Sequence, residues 1–97
     1  MHRITVEYFG PVDGDDFETA YRERHVPLVH AVPGLERFTI SLPHADGAPH
    51  LVAELWFADG DALSTAQSSA EMAAVRADSA TYDVARRVIF AGGVEDV

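Results

Sequence analysis

His25 is the inward-facing side chain of this sequence best suited to proton transfer near neutral pH, because imidazole is the group that ordinarily titrates there. It stands in "FETAYRERHVPLVHAV", where Phe17, Tyr21, His25, Leu28 and Val32 recur at spacings of 4, 4, 3 and 4. On a helix these positions form one apolar stripe, so the imidazole is turned toward the core. A polar group placed there needs a partner. Asp78 is the candidate, because it shares a second stripe with Met72, Val75 and Tyr82, and an acid on an apolar face needs a reason of its own. A His–Asp pair would satisfy both groups and fix the imidazole tautomer, which a general base requires. Pro27, two residues after His25, lacks an N–H and leaves the Glu23 carbonyl without its helical partner. A kink or opening there would lift the helix from its neighbours and make room for a cavity.

Tyr8, Tyr21, Trp56, Met72 and Tyr82 are the candidate lining of such a cavity, with Tyr21 or Tyr82 available to polarise a carbonyl. Glu54 is better read as a sheet-face acid paired with Arg37 or Arg87. A metal site has little support. His25 and His30 lie about 140° apart around a helix, and His44 and His50 flank a turn without third and fourth ligands. No phosphate-binding or dinucleotide-binding glycine motif and no serine-hydrolase elbow occurs.

The elements that must position these residues follow from periodicity. "HRITVEYF" (2–9) alternates, with Ile4, Val6 and Tyr8 on one face and Thr5, Glu7 and Phe9 on the other. A helix is expected over 15–32, capped by Asp13 or Asp15 and ended by "PG" at 33–34. "LERFTISL" and "LVAELWF" (51–57) are strands joined by the turn "PHADGAPH". A short helix over about 61–67 precedes a longer one to about residue 80, with Ser68 and Glu71 as its capping box. "DVARRVIFA" (83–91) is the last strand, and "GGVEDV" reads as a frayed tail. The order β-α-β-β-α-β is the ferredoxin-like arrangement, a four-stranded antiparallel sheet with both helices on one face. The other face mixes Phe9, Val52 and Trp56 with Thr5, Glu7, Thr39 and Glu54, and a second copy stacked on it would form a dimeric α+β barrel.

Composition sets the frame. Residues 1–97 make a single domain, 47% apolar. The net charge of −9, with all seven bases arginine, argues against nucleic acid or an anionic membrane as partner. The absence of cysteine removes disulfides, thiolate catalysis and cysteine metal sites. With no membrane-length apolar run and no signal-peptide pattern, a cytoplasmic location is expected.

Phe17, Tyr21, "HVPL" (25–28), "PGL" (33–35), "ELWF" (54–57), Asp78 and Tyr82 together resemble the EthD family of small dimeric α+β-barrel proteins. The resemblance runs from residue 3 to 91. The family often carries phenylalanine where Tyr82 stands. What the resemblance implies is the barrel fold, a homodimer, and a setting beside oxygenase and degradation genes. Related barrel families include cofactor-free cyclases, isomerases, dehydratases and quinone-forming monooxygenases. Residues and resemblance together lead us to expect a cofactor-independent acid/base enzyme acting on a small hydrophobic carbonyl or aromatic compound. His25 would be its acid/base group, oriented by Asp78. The alternatives are a non-catalytic ligand-binding accessory protein of an oxygenase system, and a cofactor-free oxygenase with Trp56 in its pocket.

Overall fold

The alternation in "HRITVEYF" continues through Pro11 to make β1 (His2–Pro11). The computed structural model describes all residues, 1–97. Asp13 caps helix α1 (Gly14–Ala20), its side chain accepting from the Asp16 N–H at 3.0 Å. Such a cap contributes about 1 kcal/mol. A π-helical turn (Tyr21–His25) follows, then helix α2 (Val26–His30). Gly34, at φ +76°, ends this helical stretch with a backbone conformation that other residues rarely adopt. Strands β2 (Leu35–Ser41) and β3 (Leu51–Phe57) come next. Helices α3 (Gly60–Gln67) and α4 (Ala70–Ser79) and strand β4 (Val84–Gly93) complete the chain.

All strand pairings are antiparallel, in the order β2-β3-β1-β4. This is the ferredoxin-like α+β arrangement, with the helices on one face. Along β3, Leu51, Ala53, Leu55 and Phe57 are buried against them while Val52, Glu54 and Trp56 are half-exposed on the other side. The core joins that inner row to Ile4 and Tyr8 of β1 and to Phe17, Tyr21, Val29, Met72, Val75 and Tyr82 from the helical side. Each large apolar side chain buried this fully contributes about 1.5–3 kcal/mol.

Four sequence expectations shift. The helix over 15–32 is not one α-helix, because the backbone widens at Tyr21–His25 and the Val26 N–H reaches back to the Tyr21 carbonyl. That i→i+5 bond inserts one residue, so Val29 rather than Leu28 takes the fully buried position. The N-cap of α4 is Ser69, whose hydroxyl accepts from the Met72 N–H at 3.1 Å. Ser68 is unavailable because it still closes α3 through its bond to the Ser64 carbonyl. Glu54 pairs with Arg3 at 3.6 Å, not with Arg37 or Arg87. Arg87 instead donates to the carbonyls of Ser79 and Tyr82, both at 2.7 Å. Finally, Gly92 and Gly93 are not frayed, since they pair with Arg3 and His2 at the end of β4.

Candidate functional site

The π turn decides how His25 is presented. Pro27 cannot donate to Glu23, and widening the preceding turn relieves the crowding of its ring against that carbonyl. Phe17, Tyr21, His25 and Val29 are then spaced four residues apart and all face inward. In a regular α-helix that spacing would drift around the axis by about 40° at each step. The Tyr21 and His25 rings lie against each other, with centroids 4.6 Å apart.

His25 Nδ1 lies 2.9 Å from Asp78 Oδ2, the contact expected from the two stripes. The same carboxylate oxygen accepts from the Tyr82 hydroxyl at 2.6 Å, and Oδ1 accepts from Arg24 Nε at 3.1 Å. Arg24 also donates to Thr81 Oγ1 at 3.0 Å, and Thr81 donates to the Asp78 carbonyl at 2.7 Å. Partial burial raises the Asp78 carboxyl, but donors from Tyr82, His25 and Arg24 outweigh it and hold the group below its ordinary pKa. Asp78 is therefore ionised at neutral pH. Burial pushes His25 below its ordinary 6.5, even though Asp78 pulls the other way. The imidazole is thus neutral at pH 7, with its proton on Nδ1 facing the carboxylate and a lone pair on Nε2. Nε2 makes no hydrogen bond within the protein.

His25 is in the lining of a cavity of about 110 Å³ between sheet and helices. Ile4, Val6, Tyr8, Ala53, Leu55 and Ile89 form its sheet wall. Tyr21, His25, Val29, Met72, Val75 and Ser79 form its helical wall, and Gln67 and Arg76 complete it. The volume is many times the roughly 10–15 Å³ that admits one water, and somewhat below the roughly 150 Å³ of a dry cavity that holds benzene. Three of the lining residues, Tyr8, Tyr21 and Ser79, carry hydroxyls. Tyr8 is hydrogen-bonded to Ser79 at 2.8 Å, whereas the Tyr21 hydroxyl is wholly buried and has no partner. Burial holds the Tyr21 phenol far above its ordinary pKa, so it is a donor, never a phenolate, at neutral pH.

Of the residues singled out from the sequence, His25, Tyr8, Tyr21 and Met72 border the cavity. Asp78 and Tyr82 do not. They stand behind the imidazole, and the Tyr82 hydroxyl is committed to Asp78, so of the two tyrosines weighed as carbonyl donors only Tyr21 is free. Trp56 is not in the cavity at all. It lies on the opposite sheet face, its ring between the guanidinium groups of Arg3 and Arg37 at 5.2 and 5.5 Å. The period-2 rule separates Trp56 from Leu55 and keeps it with Val52 and Glu54 on the outer face, so it cannot also line the cavity. Arg24, Arg76, Gln67 and Ser79 were not foreseen. The first two sit at exposed helix positions that carry no signal in the periodicity. No three histidine, aspartate or glutamate side chains come together as a metal-ligating cluster. His50 pairs with Glu18 at 3.1 Å and does not line the His25 cavity.

A four-stranded antiparallel sheet under one helical layer, with a carboxylate-paired histidine between them, defines a ferredoxin-like α+β protein. The chain belongs to the EthD family: the EthD domain matches residues 10–82. It is 33% identical over 97 residues to an uncharacterized 11.0 kDa protein of Rhodococcus erythropolis encoded in the thcB–thcC intergenic region, covering 96% of this chain and 86% of that one. Three solved structures share the fold. An ethyl tert-butyl ether D family protein from Bacillus halodurans superposes with a TM-score of 0.88 at 22% identity, covering 98% and 99% of the two chains. A dimeric ferredoxin-like protein from Thermobifida fusca gives 0.72 at 19% identity over 97% and 92%. SnoaB, a cofactor-independent oxygenase from Streptomyces nogalater, gives 0.70 at 18% over 99% and 94%. No helix is long and apolar enough to cross a membrane.

Proposed function

We propose that this EthD-family protein is a cofactor-independent acid/base enzyme acting on a small apolar carbonyl compound. The observation that carries the reading is a neutral, Asp78-oriented His25, its Nε2 without a partner in the chain, in the lining of an apolar cavity. In the reaction, Nε2 takes a proton from carbon next to the carbonyl, and the C–H electron pair moves into the enolate. The Tyr21 hydroxyl donates to the developing oxyanion. The imidazolium, stabilised by Asp78, then returns the proton to a different carbon, which is isomerisation. Alternatively it protonates a departing hydroxyl, which is dehydration, or the enolate attacks a second carbonyl within the same molecule, which is aldol cyclisation. Asp78 is a positioning residue here, and His25 and Tyr21 are the catalytic pair. The acidic, cysteine-free chain suits a cytoplasmic catabolic or biosynthetic setting.

A second copy stacked on the outer sheet face belongs to this proposal. Phe90 is half-exposed there, and the buried Thr5 hydroxyl and Trp56 indole N–H have no partners within the chain. The dimeric T. fusca protein of the same fold supports it. The SnoaB-like fold brings a cofactor-free oxygenase into view, but Trp56, the aromatic assigned to such a pocket, lies on the far face. A ligand-binding accessory role draws on the same cavity and is separated by experiment. In D₂O, exchange of the protons next to the carbonyl in a panel of small enones and aryl ketones reports abstraction without knowledge of the true substrate. His25→Gln should slow that exchange by about 10²–10⁴-fold with fold and ligand binding intact. Ligand binding without exchange above buffer background in the unaltered protein would leave the accessory reading in its place.

A further inference from the structure

The cavity has a mouth. Among its lining residues Gln67, Arg76 and Ile89 are exposed, and Ile89 is 63% accessible although it belongs to the inner face of β4. Arg76 stands at that opening. Its guanidinium makes one hydrogen bond, to the Gln67 carbonyl at 3.3 Å, and no carboxylate pairs with it. Only Arg3 and Arg24 are paired with carboxylates, and of the five arginines that are not, Arg76 is the one that lines this cavity. Besides the neutral His25, Arg76 is the only ionisable base facing the cavity, and it retains guanidinium donors suited to planar two-point recognition of an anion.

We infer that the ligand of this cavity is a small apolar carboxylate. Its acid group is read by Arg76 at the mouth, its hydrocarbon body fills the space between Met72, Val75 and Leu55, and its carbonyl meets the Tyr21 hydroxyl inside. The inference rests on the proposed acid/base site and adds its substrate class. A charge at the mouth stays partly hydrated, so the carboxylate escapes the desolvation that would exclude it from the interior. The apolar end must be small, about the size of one six-membered ring, to suit a cavity of about 110 Å³. Arg76 is thus a specificity-determining residue, acting on binding and not on the proton-transfer step.

Benzoate and benzamide are matched in shape and differ in charge. Binding is followed through the His25 ring protons and the Met72 methyl signal, so no turnover is needed. Benzoate should bind the unaltered protein roughly 10-fold or more tightly than benzamide, in line with one charge-assisted contact. Arg76→Gln should remove that preference and leave benzamide binding unchanged. The exposed helical position and the similar helix propensity of glutamine keep the fold intact. Equal binding of the two ligands, or a benzoate preference that survives Arg76→Gln, overturns the carboxylate assignment while the apolar site stands. If neither ligand moves a cavity signal, the cavity itself is not a binding site, and the acid/base reading falls together with this one.

Discussion

Asp78 accepts from His25, Tyr82 and Arg24 at once, and this sets the tautomer of the imidazole, while burial keeps the ring neutral against the pull of the carboxylate. Because burial places the His25 pKa below 6.5, the folded protein binds fewer protons than the unfolded chain between that depressed value and 6.5. The stabilisation is complete above about pH 6.5 and is lost as pH falls through this window. Melting temperature should therefore drop between pH 7 and 5, and His25→Gln should flatten that part of the profile. A slope unchanged by the substitution would mean that His25 is not the group responsible. Tyr21→Phe offers the opposite pairing of effects. It deletes a buried hydroxyl that has no partner, so stability should hold or rise by up to about 1 kcal/mol. Carbonyl polarisation should fall by about 10-fold or more, read as slower exchange of the adjacent protons. The His25–Asp78 contact was legible in the sequence, because each residue was the polar member of an apolar stripe. Arg24 was not, since its reach to Asp78 depends on how two distant helices meet.

At the scale of elements, the π turn is the feature that makes the site. It adds one residue to a helix that would otherwise present its stripe at spacings of three and four. Deleting Glu23, which is exposed, should let the segment close into a regular α-helix while Phe17, Tyr21 and the old Val29 position stay inward. The imidazole would stay on the inner stripe but follow Tyr21 by three residues instead of four, about 60° around the axis from it, which shifts the ring out of its contact with Asp78. The expected result is a folded protein that lacks the downfield proton resonance of an imidazole N–H bonded to a carboxylate. Retention of that resonance would show that the wide turn does not hold the ring. Pro27 announced an irregularity in the sequence, but its form was not legible. A kink and a π turn both answer a missing N–H, and the choice fell to the packing of Val29 and Val32 against the core.

The whole molecule is a flat slab, 36 × 34 × 17 Å, one sheet thick and one helical layer thick. An ordinary stable interface takes roughly 800 Å² from each partner, and the broad side of the slab is where the sheet's outer face could supply it. Phe90, 48% exposed and paired with Thr5 in the sheet, sits on that face. Phe90→Asp should cost the monomer little, because the side chain is already half in water, yet place a charge in the proposed interface. Analytical ultracentrifugation should show a dimer for the unaltered protein and a monomer for the variant. A monomer in both cases would remove the barrel assembly from this protein.

Element types, their order, the ferredoxin-like arrangement and the inward turn of His25 and Asp78 were determined by the sequence itself. These depend on local periodicity and on the cost of burying an unpaired polar group, and both are written in short windows of residues. The tertiary structure alone decided that Val29 displaces Leu28, that Tyr21 and not Tyr82 keeps a free hydroxyl, and that Arg76 stands at an open cavity mouth. Each of these turns on distances between segments far apart in the chain. Such distances follow from how side chains fill the space between sheet and helices, which no periodicity encodes.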